Sequence, residues 1–257
     1  VCEKIQSKGE LKMEIRNFQL GTEWNIIHYP EKPQGFGILI IGDERNFVDE
    51  RTSYWIQNEG KHMLIKSLQE AGYTIFYSNL YGRNWGSQKA VNLAKRLYEH
   101  IIRTEILNGK IHIIAEGMGA LVALKLLLEM DESIRSVVLL NPILSLNQHL
   151  ELEKDRKFFY KRLIKELSQS YEYDANQVVN RIEKEDTLPL RKQNVPMKII
   201  HVLSDNRAYK QSHLLNQLSV KWEGEHTPIS VSYMVPEKRL QIAKPIVQFL
   251  KNNEEKL

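Results

Sequence analysis

Apolar residues recur along this chain in two rhythms, and the alternation between them predicts its architecture. Residues 13–20 and 24–29 read as two strands joined at Gly21-Thr22, followed by a breaker-rich turn over 30–35. The run FGILII over 36–41 is short and continuously apolar, as in a strand covered on both faces, and Gly42-Asp43 ends it. Met63, Leu64 and Leu68 fall at helical spacing within 61–71, and Gly72 closes that helix. A strand over 73–77 leads to a long helix over 87–107, with Val91, Ala94, Leu97 and Ile101 along one side. Strand 111–114, helix 118–130 and strand 137–140 continue the pattern. From about 145 to 190 the chain is helical and charged. It carries a basic amphipathic helix over 152–167 (Phe158, Phe159, Leu163, Ile164) and a second helix that Asp174 can cap, with Gln177 three residues on. The strand signal resumes at 197–203. A helix over 209–218, a strand over 229–234 and a helix over 240–251 complete the chain. Strands alternating with helices predict an α/β fold with a mostly parallel sheet and helices on both faces.

Composition narrows the partners more than the fold. Of 257 residues, 42% are hydrophobic and 26% charged, as in soluble globular proteins, and no run approaches the ~20 apolar residues of a membrane span. The 36 basic and 32 acidic residues are dispersed, so the net charge of +4 leaves no footprint for nucleic acid. The single cysteine, Cys2, excludes a disulfide framework and points to a reducing compartment, the cytoplasm. Residues 1–12 are polar and do not read as a secretory signal, and Val1 before Cys2 gives no lipobox. We expect translation to start at Met13 in a bacterium. A leading valine is what a GTG codon read literally would give, and Lys8-Gly9-Glu10 can be encoded by a ribosome-binding sequence.

The most informative stretch is 111–127, a buried strand, a very tight turn and a helix, with AEGMG at 115–119. Around it stand AGYTIFYSNLYG at 71–82, Ser87, SVVLLNP at 136–142 and VPMKIIHVLSD at 195–205. In this order and spacing the segments resemble the α/β-hydrolase family across nearly the whole chain. They match its A-G-Y-x-V-x-x-x-D-x-R-G run, the serine that follows, its next core strand and its I-P-x-L-x-I-H-G-x-x-D run. AEGMG falls on the nucleophile elbow, G-x-S-x-G. The resemblance implies a central sheet of about eight strands, a helical cap at about 145–190, and a relative of esterases and lysophospholipases.

The same resemblance allows the chemistry to be audited. A serine hydrolase needs a nucleophile, a base, an acid to orient the base, and an oxyanion hole. Gly117 stands at the nucleophile position and Asp205 at the acid position. The base should follow the last strand, near Val235–Arg239, where no histidine lies; His226 precedes that strand. The oxyanion donors would be the backbone N–H of Met118 and one from the Gly42-Asp43 loop, helped by the positive end of the helix that starts near Met118. Such a hole can still take a small anionic or carbonyl ligand. Arg83 and Trp85 fall in the loop that borders the pocket in this family. The elbow forces its central residue to positive φ, which costs a serine about 1–3 kcal/mol and glycine nothing. A glycine there is what an elbow relieved of catalysis should carry. The chain resembles neuroligins in this, which keep the hydrolase fold with glycine at the elbow and serve in adhesion; their partners do not transfer.

Each candidate also has a plainer reading. Asp205 without its base reads as a helix or turn cap, Glu116 as a structural neighbour of the elbow, and His112 and His201 as packed core histidines. Arg83 and Trp85 read as loop packing and the 152–167 helix as a cap over the pocket. His28, His62, His100, His149 and His213 form no H-x-x-x-H pair, so no metal site is expected. GRNWG at 82–86 lacks the Lys-Ser/Thr of a phosphate-binding loop, so neither nucleotide nor other cofactor is expected. Three functions follow. The first is a non-catalytic protein that binds a small molecule or a protein through the old pocket. The second is a hydrolase rebuilt on a carboxylate (Glu116, Asp205, Asp43 or Glu237) that acts on an ester or acyl substrate. The third is a scaffold that meets a membrane surface or a partner through 152–167.

Overall fold

A computed structural model describes residues 14–184, 194–203, 212–224 and 228–254. The chain begins with a hairpin of β1 (Glu14–Leu20) and β2 (Glu23–Tyr29), turned at Gly21 with φ +69°. It then alternates: β3 (Gly37–Ile41), α1 (Tyr54–Gln57), α2 (Glu59–Glu70), β4 (Thr74–Ser78), α3 (Gln88–Thr104), β5 (Ile111–Glu116), α4 (Gly119–Glu129) and β6 (Ile134–Leu140). Three helices follow without a strand: α5 (Leu146–Glu153), α6 (Lys157–Tyr171) and α7 (Ala175–Lys184). The sheet resumes with β7 (Met197–Val202), then α8 (Ser212–Gly224), β8 (Ile229–Met234), a 3-10 turn at Pro236–Gln241 and α9 (Ala243–Asn252).

The eight strands lie in the order β1-β2-β4-β3-β5-β6-β7-β8. β2 pairs with β1 and β4 antiparallel, and every pairing from β4 to β8 is parallel. Parallel strands need cover on both faces, and the sequence supplies it by strict alternation. Leu39, Ile41, Ile113, Ala115, Val137, Leu139 and Ile199 face a layer built on α3, α4 and α8. Ile38, Ile40, Ile114, Val138, Leu140 and Ile200 face a layer built on α1, α2 and α9. Each fully buried aliphatic side chain contributes about 1.5–3 kcal/mol, so these two layers hold the fold.

Three buried histidines occupy the sheet, and burial keeps them neutral. His112 bonds Ser136 Oγ through Nδ1 at 2.8 Å, His28 bonds Tyr77 OH through Nε2 at 2.9 Å, and His201 stacks on Tyr233. Desolvation lowers His28 and His112 to about 3 and also lowers His201.

The cap differs from its sequence reading in one respect. The helix expected over 152–167 is broken at Lys154–Arg156, where Arg156 N–H bonds Glu153 O. α5 ends there because Arg156 leaves the helical backbone region (φ −103°, ψ 73°) and becomes the N-cap of α6, so each helix buries its own face, Leu146, His149, Leu150 and Glu153 in α5 and Leu163, Glu166 and Leu167 in α6. Asp174 caps α7 as expected, its Oδ1 accepting from Asn176 and Gln177 N–H at 2.9 Å. Residues 185–190, the expected end of the cap, lie outside the described residues, as do residues 1–12. Among the described residues no helix is long and apolar enough to cross a membrane.

Candidate functional site

The C-terminal ends of β3, β4, β5 and β6 converge on the turn between β5 and α4. Gly117 holds that turn with φ +52°. Its N–H donates to Leu140 O at 3.0 Å and its carbonyl accepts from Ile143 N–H at 2.9 Å, so the bend is pinned to the end of β6. Gly119 is required by close approach: a Cβ there would lie 2.5 Å from Ile41 O and 2.6 Å from Gly42 O. The two glycines of GMG thus serve different needs, one a backbone angle and the other the contact of α4 with β3. This is an elbow in full geometry, without a side chain at its apex.

The space the apex side chain would take is filled. A Cβ on Gly117 would meet Asp43 Cγ and Oδ1 at 2.3 Å. Asp43 Oδ1 accepts from Met118 N–H at 3.0 Å. A carboxylate at the first amides of α4 is favoured by the exposed N–H groups and the helix dipole. The resemblance implies that the 42–43 loop contributes a backbone donor to an oxyanion hole. The structure instead brings in Asp43 as an acceptor, seated on the other expected donor. Gly42 is close-packed as well: Asn46 folds over it, within 2.5 Å of where a Cβ would stand, and anchors itself through Nδ2 to Ser78 O at 3.0 Å.

Glu116, one residue before the apex, is ion-paired with Lys61 of α2, Nζ to Oε1 at 2.5 Å, with both side chains largely buried. The ammonium also lies 4.8 Å from the centre of the Trp55 ring. Sequence reasoning misses Lys61. A signal existed: Lys61 shares the stripe of Leu64, Ile65 and Leu68 that α2 turns toward the sheet, and a lysine on a buried stripe calls for a partner.

Arg83 and Trp85 lie beside the elbow but serve the cap. Trp85 holds positive φ (+46°), and its backbone N–H meets Met118 Sδ at 3.2 Å. Its indole N–H donates to Glu166 Oε2 at 3.0 Å, its ring stacks on His149 with centroids 5.4 Å apart, and its carbonyl accepts from Tyr171 OH at 2.9 Å. Arg83 and Arg162 both pair with Glu166 Oε1. Trp85 and Met118 are buried in one cluster with Ile143, Leu150, Leu163 and Leu167, so the cap closes directly onto the elbow. Glu166, His149 and Tyr171 escaped the sequence reading because their partner, Trp85, is more than sixty residues away along the chain; only the i,i+4 spacing of Arg162 and Glu166 hinted at a pair.

Asp205 and His226 lie outside the described residues. Glu237 sits exposed in the 3-10 turn after β8. That turn brings Leu240 beside Gly60 at the start of α2, and no histidine lies within it. Among the described residues no group of three or more His, Cys, Asp or Glu is placed to hold a metal ion.

A family model described as the alpha/beta hydrolase fold matches residues 51–220. No curated protein matches the chain in sequence. Among solved structures, the acylaminoacyl peptidase of Pyrococcus horikoshii superposes with a TM-score of 0.67 at 15% identity, covering 95% of this chain and 43% of that one. This chain thus spans less than half of the peptidase. The fluorophosphonate-binding serine hydrolase F of Staphylococcus aureus gives 0.62 at 15% identity, with 95% and 99% covered. The S-formylglutathione hydrolase of the same organism gives 0.60 at 14%, with 94% and 100% covered. At such identities these likenesses speak to fold alone. Together with the pinned elbow and the parallel sheet beneath it, they lead to one conclusion: the chain belongs to the α/β-hydrolase fold family.

Proposed function

We propose that this protein is a non-catalytic member of its family, which uses the hydrolase frame to bind a small molecule or a protein rather than to turn over an ester. The observation that carries this reading is the Asp43 carboxylate lodged where the apex side chain would stand and bonded to Met118 N–H. An oxyanion hole works by meeting charge that develops in the transition state, and a donor already given to a fixed carboxylate has less to offer. Gly117 supplies no nucleophile, and no histidine follows β8 to activate one. The lone Cys2 supports a reducing compartment, the cytoplasm.

The same carboxylate favours one alternative, a hydrolase in which Asp43 acts directly on water or substrate. Glu116 is the weaker candidate for that role, because Lys61 already engages it and the pair would have to open.

The test is a panel of nitrophenyl esters, thioesters and lysophospholipids on the full chain, with fluorophosphonate labelling. We expect no turnover above buffer, no labelled serine, and no gain from Gly117→Ser. Turnover abolished by Asp43→Asn would establish the alternative, and a labelled serine would overturn both.

A further inference from the structure

The outer face of α6 is exposed. Its inner face is spent on the protein through Leu163, Glu166 and Leu167. Lys157, Lys161 and Lys165 recur every fourth residue and form one exposed stripe, and among the described residues none of the three has an ion-pair partner. Phe158 flanks the stripe and is 76% exposed; Phe159, further round the helix and 52% exposed, packs edge-on against it with centroids 5.9 Å apart. The Arg156 guanidinium lies over Phe159 at 5.9 Å. Of the acids nearby, Glu151 is taken by Lys154, Glu166 by Arg83 and Arg162, and Glu44 faces Arg162; exposed Asp155, two residues before Lys157, offsets one charge and leaves the stripe basic.

We propose that this face of the cap docks on an anionic lipid surface, with Lys157, Lys161 and Lys165 meeting the headgroups and Phe158 and Phe159 entering the interface. Charge complementarity selects this occupant. Lysine is depleted in the cores of protein–protein interfaces, where burying a flexible, strongly hydrated ammonium gains little. A headgroup layer leaves the ammonium wet and attracts it from a Debye length away. Aromatic rings among basic residues are what the boundary between headgroup and acyl chain accepts. Because the helix keeps its inner face on the protein, contact is limited to the stripe and the two rings. Binding is therefore reversible and dependent on salt.

The experiment is flotation of the full chain with vesicles of phosphatidylcholine alone or with a third phosphatidylserine, at low and high salt. We expect capture by the anionic vesicles only, released at high salt. Each lysine near the surface contributes about a fivefold gain in partitioning, so reversing all three to glutamate should reduce it by about 100-fold or more. Phe158→Ala with Phe159→Ala should weaken the capture seen at low salt. All five positions are exposed, so circular dichroism and the melting temperature should be unchanged in both variants. Equal capture by neutral vesicles, no capture by anionic ones, or undiminished capture of the lysine variant with its fold intact would each overturn the proposal.

Discussion

The elbow and the cap seam lie side by side, and each is centred on a carboxylate, yet the two are built on different principles. At the elbow, Asp43 addresses a backbone amide, and the surrounding fit is set by glycines whose missing side chains make room for backbone and neighbours. At the seam, Glu166 gathers two guanidiniums and an indole, and the fit is set mainly by side chains. Backbone geometry of this kind is fixed by the core beneath it. A side-chain cluster persists only while all its members do. The elbow keeps the family's outline and the seam carries what is particular to this chain.

Four experiments test that contrast, beginning with the largest expected effect. Lys61→Met strands the buried Glu116 carboxylate beneath the elbow and should lower unfolding free energy by about 3–5 kcal/mol; Lys61→Met with Glu116→Leu should recover most of it. Chemical denaturation of both variants checks this, and equal losses would show that packing rather than charge is at stake. Acid acts next, through the sheet that carries the elbow. His28 and His112 are held near 3 when folded against about 6.5 when unfolded, so below pH 6.5 the unfolded chain takes up protons that the native one refuses. Stability is therefore full above pH 6.5 and falls toward pH 3, by about 2 kcal/mol per histidine at pH 5. His112→Asn should flatten the slope of denaturation midpoint against pH.

A smaller effect is expected at the apex. Gly117→Ser should cost about 1–3 kcal/mol, from positive φ and from collision with Asp43. Adding Asp43→Gly should return the collision part, so the double-mutant cycle should show coupling. Additive losses would mean that Asp43 swings away freely. The smallest effect is at the seam: Glu166→Gln should cost about 1 kcal/mol, because the arginine side chains are about 40% exposed and well screened. Hydrogen exchange in α6 should rise while β5 stays protected.

The sequence reading was strongest where period and sterics determine structure. Short apolar runs gave β3, β5 and β7, and the GMG turn gave a tight bend, because each follows from local rules. It fell short where a partner is remote. The break between α5 and α6 depends on which residues the cap must bury against a surface that only the folded chain presents. Asp43 sits in the expected loop, but a motif defined by backbone donors carries no information about which way a side chain turns. Lys61 with Glu116, and Trp85 with Glu166, are separated by tens of residues and meet only through the topology of the sheet.

Trp85 gives this seam an optical signature. With its ring on His149, its indole N–H on Glu166 and its backbone carbonyl on Tyr171, Trp85 joins the loop to the cap at three points. Lifting α6 by one bond length or more would move that chromophore from a dry, stacked setting into water. Emission from Trp85, isolated by replacing Trp24, Trp55 and Trp222 with phenylalanine, would shift to the red as the cap opens. The molecule thus carries a fluorescent gauge of its own closure, readable in solution without any added dye.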